Sequence, residues 1–364
     1  MAEYVLAFLI LLAASIIFYL GYDRLVRRTP MPSTALYVEA LRDLLDGQRV
    51  RAFGKLRQVV NEDYHNIDAY IRLGQILREG NKPDRALQIH KDLTLRAGLP
   101  PSQKMGILHQ LAEDYSELKD YDMAAAAIKE LISLDGNNRW AHIKLLKIQE
   151  AKQSWDEAFD TAAHILKLEN NKSKKPLAFY KYQQGMQLYK QREYHKARIL
   201  FKEAIGLNPA YAPAYLAVGD SYRLEERHED AVNFWVKLIE AVPDKGHLVI
   251  DRLKKALYDL GRFSELADIC HNILAHDSGN VEARLSLAEF YHAKGEIDQA
   301  ETLLAEVVER SPENLKAIIG YLRLLVEKGN RRQIDRFFRQ LEGRLEKPAA
   351  DARTAPGGKM IGTA

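Results

Sequence analysis

The sequence predicts an all-α solenoid of helical hairpins behind one N-terminal transmembrane helix. Two observations carry this. Residues 178–211 and 212–245 align without a gap at a step of 34, and Tyr4–Tyr22 is an uncharged apolar run of 19 residues. A third narrows what such a chain does: 53 basic against 50 acidic side chains leave a net charge of +3 and no nucleic-acid footprint. The 364 residues would suit two or three ordinary domains, but a repeat array grows by stacking and not by enlarging one core.

In the tandem pair, Gly185 falls under Gly219, Ala197 under Ala231, Phe201 under Trp235 and Pro209 under Pro243. Gly at place 8, Ala at 20, an aromatic at 24 and Pro at 32 form the tetratricopeptide (TPR) signature. Small residues at 8 and 20 let two antiparallel helices approach, and the ring at 24 fills the space beside them. Pro at 32 closes the second helix because its ring cannot continue one.

The apolar run comes first in chain order. About 20 apolar residues cross about 30 Å of hydrocarbon, so Tyr4–Tyr22 is just long enough. Tyr4, Tyr19 and Tyr22 sit at its ends, where amphipathic rings favour the interface. Only Glu3 is charged before the run, whereas Arg24, Arg27 and Arg28 follow it. A cleaved signal peptide would carry its basic residues first. The positive-inside rule puts the following chain in the cytoplasm. Residues 1–28 are thus expected to be an uncleaved single-pass anchor, and 29–33 (TPMPS) a short linker.

The 34-residue template then gives nine units. They start at Ser33, Ile67, Met105, Arg139, Ala178, Ala212, His247, Val281 and Leu315. Unit 2 has Leu73, Gly74 and Ala86 in place, unit 3 Leu111, Ala112, Tyr115 and Ala124, and unit 8 Ala288, Tyr291, Gly295 and Ala300. Units 1, 7 and 9 are degenerate, and Ile334 stands where unit 9 should be small. The insertion SKKPL at 173–177 reads as a hinge or as a longer loop. The expected organisation is therefore units 1–4 over 33–172, units 5–9 over 178–348, and a disordered tail over 349–364.

No constellation for catalysis is present: no phosphate-binding Gly-rich loop, no G-x-S-x-G and no H-E-x-x-H. The chain reads as a non-enzyme without cofactor. The single cysteine, Cys270, excludes a disulfide framework within the chain. His271 and His276 beside it are five apart, which does not put both on one helical face, so no metal site is expected.

What remains is surface. The first helix of each unit lines the concave face, chiefly through places 2, 5, 9 and 12. Arg78, His109, Tyr182, Tyr189 and Arg223 fall at such places and are the candidate partner contacts, because aromatic and Arg side chains anchor interfaces. The tyrosines either meet a partner or pack between neighbouring helices. A clamp for chaperone tails needs Lys and Asn at places 5 and 9; Tyr37 and Leu41, Ile71 and Gln75, or Tyr182 and Met186 stand there instead.

The string LGQILREGNKPDRALQIHKDL, Leu73–Leu93, with Arg78, Asp84-Arg85-Ala86 and Ile89-His90, resembles the lipopolysaccharide assembly protein B family, as does QLAEDYSELKDYDMA, Gln110–Ala124. The anchor followed at once by the array resembles it too. The resemblance implies an adaptor on the cytoplasmic face of the Gram-negative inner membrane. It would couple the membrane protease FtsH to the deacetylase that commits acyl-UDP-GlcNAc to lipid A, and so restrain lipopolysaccharide synthesis. The family ends in a rubredoxin-like knuckle with two Cys-x-x-Cys pairs. This sequence holds no such pair, so metal binding is not carried over. A homodimer is compatible with a tethered array, which concentrates its own copies on a membrane. The competing expectation is a generic membrane-bound TPR scaffold for envelope or secretion assembly.

Overall fold

In the computed structural model, residues 12, 14–19 and 32–345 are described. Among them the fold is all helical. Eighteen α-helices form nine hairpins. The first four pairs are α1 (Ser33–Leu45) with α2 (Arg49–Glu62), α3 (Ile67–Glu79) with α4 (Pro83–Thr94), α5 (Pro101–Glu117) with α6 (Tyr121–Leu134), and α7 (Arg139–Ala151) with α8 (Trp155–Leu168). The other five are α9 (Leu177–Lys190) with α10 (Tyr194–Leu207), α11 (Ala212–Leu224) with α12 (His228–Ala241), α13 (Ile250–Asp259) with α14 (Glu265–His276), α15 (Val281–Ala293) with α16 (Ile297–Arg310), and α17 (Leu315–Glu327) with α18 (Arg331–Leu345). The chain divides into two compact units between Lys172 and Ser173, with α1–α8 in one and α9–α18 in the other.

The expected packing holds at place 20 in seven hairpins and at places 8 and 24 in the clean pair. Ala52, Ala86, Ala124, Ala158, Ala197, Ala231 and Ala300, all at place 20, are fully buried. A Cβ added to Gly219 would lie 2.2 Å from Trp235, and one on Gly185 would lie 2.5 Å from Phe201. The ring at place 24 therefore occupies the volume that a side chain at place 8 would need. Trp235 and Phe201 are themselves wholly buried.

Each hairpin reverses through one residue of left-handed backbone, always at place 15. Gly47, Asn81, Lys119, Gln153, Arg192, Glu226, Gly261, Gly295 and Gly329 all have φ between 56° and 84°. The next N–H bonds five residues back, as in Glu193 N to Leu188 O at 2.9 Å, which satisfies carbonyls the helix end leaves open. At the other boundary, Asn66, Asn138, Asn280 and Asn314 at place 34 cap the next unit, each accepting from the backbone N–H three residues on. Unit 7 departs from the template. A 3-10 turn, Pro243–Val249, precedes α13 and shortens it to 10 residues.

The expected anchor, Tyr4–Tyr22, lies mostly outside the described residues. The described part, Leu12 and Ala14–Tyr19, is helical and exposed. Among the described residues no helix is long and apolar enough to cross a membrane. The expected disordered tail, 349–364, lies outside them as well.

Candidate protein-binding face

In the first compact unit, units 2 and 3 are joined by a buried charged cluster. Asp114 on α5 has no exposed surface. Its Oδ1 accepts from Arg78 Nη1 at 2.6 Å and its Oδ2 faces His90 Nδ1 at 2.5 Å. His90 stands at place 24, where units 5, 6 and 9 have Phe201, Trp235 and Phe338, and its ring fills the space over Gly74. Its Nε2 faces the Ile71 carbonyl at 3.2 Å, so both ring nitrogens look at oxygen atoms. Arg78 also donates to Gln110 Oε1 at 2.8 Å. The guanidinium is thus held between units, with 15% of the side chain exposed.

His109 stacks on Trp140 of the next unit, with centroids 3.7 Å apart and 27° between planes. Desolvation holds its imidazole below the ordinary histidine range. Glu113 opposes that shift, while Arg78 and Lys144 reinforce it. Lys144 reaches Glu113 at 2.7 Å across the same junction.

In the second compact unit, Tyr182 packs against Phe201 and Tyr211, both with centroids 5.6 Å away. Tyr189 packs against Tyr194 at 5.4 Å. Burial raises the pKa of both phenols, and Asp220 adds to it. These two rings are half-buried between helices. Arg223 differs: it is exposed on the wall of a cavity of about 980 Å³ that also takes in Asp251, Lys254, Tyr258 and Phe263. A second cavity of about 400 Å³ shares Asp251 and Lys254 and extends to Lys316, Ile319 and Arg323. Together they make one groove over α11, α13, α15 and α17.

Successive first helices are laced across this groove. Arg252 donates to Asp220 at 2.9 Å, Lys254 pairs with Glu289, and His292 meets Glu327 at 2.7 Å. Those charges are occupied in holding units together. Arg223, Lys316 and Arg323 carry no ion pair among the described residues. Tyr258 is 75% exposed and Ile319 57%, an unusual display of apolar surface inside a groove. Cations beside exposed apolar groups suit recognition of a polypeptide segment. The sequence reading missed Tyr258, Lys316, Ile319 and Arg323. They occupy places 12, 2, 5 and 9 of units 7 and 9, so the template itself points to them once the degenerate units are kept in register.

Cys270 is buried, and desolvation pushes its thiol up to about 12. His271 hydrogen-bonds Tyr291 Oη at 3.1 Å and His276 bonds the Asn272 carbonyl at 2.9 Å. Among the described residues no three His, Cys, Asp or Glu side chains converge as a metal site would require.

Tetratricopeptide repeat family models match residues 106–138, 182–244 and 257–317. Lipopolysaccharide assembly protein B of Escherichia coli (strain K12) is 24% identical over 276 residues, covering 76% of this chain and 71% of that protein. Its namesake in Haemophilus influenzae is 24% identical over 259 residues, covering 70% and 64%. Among solved structures, the one titled "Structure of Naa15/Naa10 bound to HypK-THB" aligns over 82% of this chain and 47% of that one, at 16% identity and a TM-score of 0.45. The resemblance first carried by Leu73–Leu93 thus extends over three quarters of the sequence. The chain carries tetratricopeptide repeats and is similar to lipopolysaccharide assembly protein B.

Proposed function

We propose that this protein is a membrane-tethered adaptor that regulates lipopolysaccharide synthesis by binding, with no bond-making of its own. The supporting observation is the 276-residue similarity to lipopolysaccharide assembly protein B, which runs through the array and not through one generic hairpin pair. In this reading Tyr4–Tyr22 is the single-pass inner-membrane anchor, and Arg24, Arg27 and Arg28 keep the rest of the chain cytoplasmic. Units 1–4 and units 5–9 form two presenting segments. The membrane protease FtsH meets the anchor region, and the UDP-acyl-GlcNAc deacetylase of the lipid A pathway is the client held by the array.

The groove through Arg223, Tyr258, Ile319 and Arg323 is the client-facing surface. Tyr182 and Tyr189 fix helices of the same compact unit, and Arg78 and His109 fix the junctions of units 2 to 4 in the other. Crosslinking in cells, followed by purification of the full-length membrane protein, tests this. Recovery of the protease and the deacetylase is expected, with the deacetylase lost from an Arg223→Glu/Tyr258→Ala variant. Recovery of a different envelope or secretion complex would instead favour a generic membrane-bound scaffold, the second reading.

A further inference from the structure

Unit 1 departs from its neighbours at the turn between its helices. Place 18 opens the second helix of each hairpin, and five units carry a carboxylate there: Asp84, Asp122, Asp156, Glu229 and Asp298. A carboxylate at that position is favoured by the positive end of the helix. Unit 1 has Val50 instead, flanked by Arg49 and Arg51, and no acid in the first turn of α2. Cations there run against the helix dipole. At place 13, where Glu79, Glu117, Asp259 and Glu327 stand in other units, unit 1 has Leu45.

Both aliphatic side chains are almost fully exposed, Leu45 at 87% and Val50 at 88%. They flank the short turn at Gly47, with exposed Asp46 in the same turn. Beside Val50 a cavity of about 300 Å³ is lined by Phe53, Ile76 and Leu77 together with Arg49, Glu79 and Lys82. Arg49 is paired with Glu79 at 3.1 Å. Arg42 and Arg51 have no ion pair among the described residues, and neither has Arg57, two turns beyond Val50 on the same helix face. In water this edge exposes apolar surface and sets Arg49 and Arg51 at the helix start, where the dipole disfavours cations. Against anionic lipid both features become favourable: aliphatic groups enter the interfacial layer and the guanidinium groups meet phosphate.

Sequence position supplies the lipid. Only ten residues separate Tyr22 from Ser33, and a fully extended chain of that length reaches about 35 Å. We propose that the turn edge of unit 1, centred on Leu45 and Val50 and rimmed by Arg42, Arg51 and Arg57, docks on the anionic lipid surface of the membrane that holds the chain. This rests on the reading of Tyr4–Tyr22 as an anchor. Docking sets the height at which the array begins, which a flexible tether alone would leave free.

The test uses the full chain in lipid nanodiscs, with an environment-sensitive dye on Val50→Cys and, as control, on Leu95→Cys, another exposed aliphatic position. Buried Cys270 stays unlabelled. On discs containing phosphatidylglycerol the Val50 probe shifts to the blue and is quenched by spin-labelled lipid, and the Leu95 probe is not. The shift is absent on phosphatidylcholine discs and is lost in an Arg42→Glu/Arg51→Glu/Arg57→Glu variant of unchanged helicity. Each reversal removes about a fivefold contribution to surface attraction. A chain that stays embedded while the Val50 probe reports water in both lipids overturns the docking alone, and equal shifts in both overturn the anionic assignment. A chain that does not enter the discs overturns the anchor and the docking with it.

Discussion

A carboxylate out of contact with water survives only with partners, and Asp114 has two, the Arg78 guanidinium and the His90 ring. Removing it strands Arg78 and His90, so Asp114→Ala is expected to cost about 3–5 kcal/mol in chemical denaturation. Replacing the cluster together, as Arg78→Met/His90→Phe/Asp114→Leu, is expected to cost far less, because His90→Phe gives place 24 the aromatic it has in units 5, 6 and 9. Equal losses in the two variants would show that the cluster is not acting as a unit. His109 gives a pH dependence of known sign. Its folded pKa lies below the ordinary 6.5, so the unfolded chain binds the extra proton first. Stability is full above pH 6.5 and falls as pH drops toward the folded value. His109→Phe, which keeps the stack on Trp140, should flatten this part of a melting-temperature profile between pH 7 and 5. Cys270 should resist alkylation at pH 8 in the native protein and react once denaturant is added, as read by mass spectrometry, because its thiol is pushed up to about 12.

At the scale of the hairpin, the left-handed residue at place 15 sets the return of the chain. Lys119, Gln153, Arg192 and Glu226 adopt it although a Cβ disfavours it by about 1–2 kcal/mol. Glu226→Gly is therefore expected to raise stability by about 1 kcal/mol, a gain reduced by glycine's greater freedom when unfolded. A lower unfolding midpoint would mean that Glu226 makes contacts worth more than the strain. Hairpin register was readable where chemistry forces the residue: Gly219 under Trp235, Ala231 against its partner helix, Pro243 after α12. At place 15 it was readable where a glycine stands, as at Gly47 and Gly295, and not at Lys119, Gln153, Arg192 and Glu226, because tertiary packing imposes the conformation on side chains with no preference for it. The 3-10 entry to unit 7 was hidden likewise, since Pro243–Val249 carries the ordinary end of one unit and start of the next. The groove was half-legible. Arg223 came from the clean pair, whereas Tyr258 and Arg323 sit in units whose landmarks are worn. Arg78 and the tyrosines show why place alone does not separate a contact surface from a junction: the same places face both the groove and the next unit.

For the whole molecule, each unit of a solenoid leans only on its neighbours, so its weakest point is where the chain leaves the helices. Residues 169–176, between α8 and α9, are all exposed and include Lys172 and Lys174. Limited trypsin digestion is expected to cut there first and leave two resistant fragments. Early cleavage inside α10 or α12 would contradict the packing described. The account's central claim is that a leashed array governs a lipid A enzyme by holding it. The most direct measurement is the half-life of the UDP-acyl-GlcNAc deacetylase in cells that carry, lack or re-express this protein. A half-life lengthened by its loss, restored by the full chain but not by a chain without residues 1–28, is the predicted result. An unchanged half-life in all strains would contradict the account.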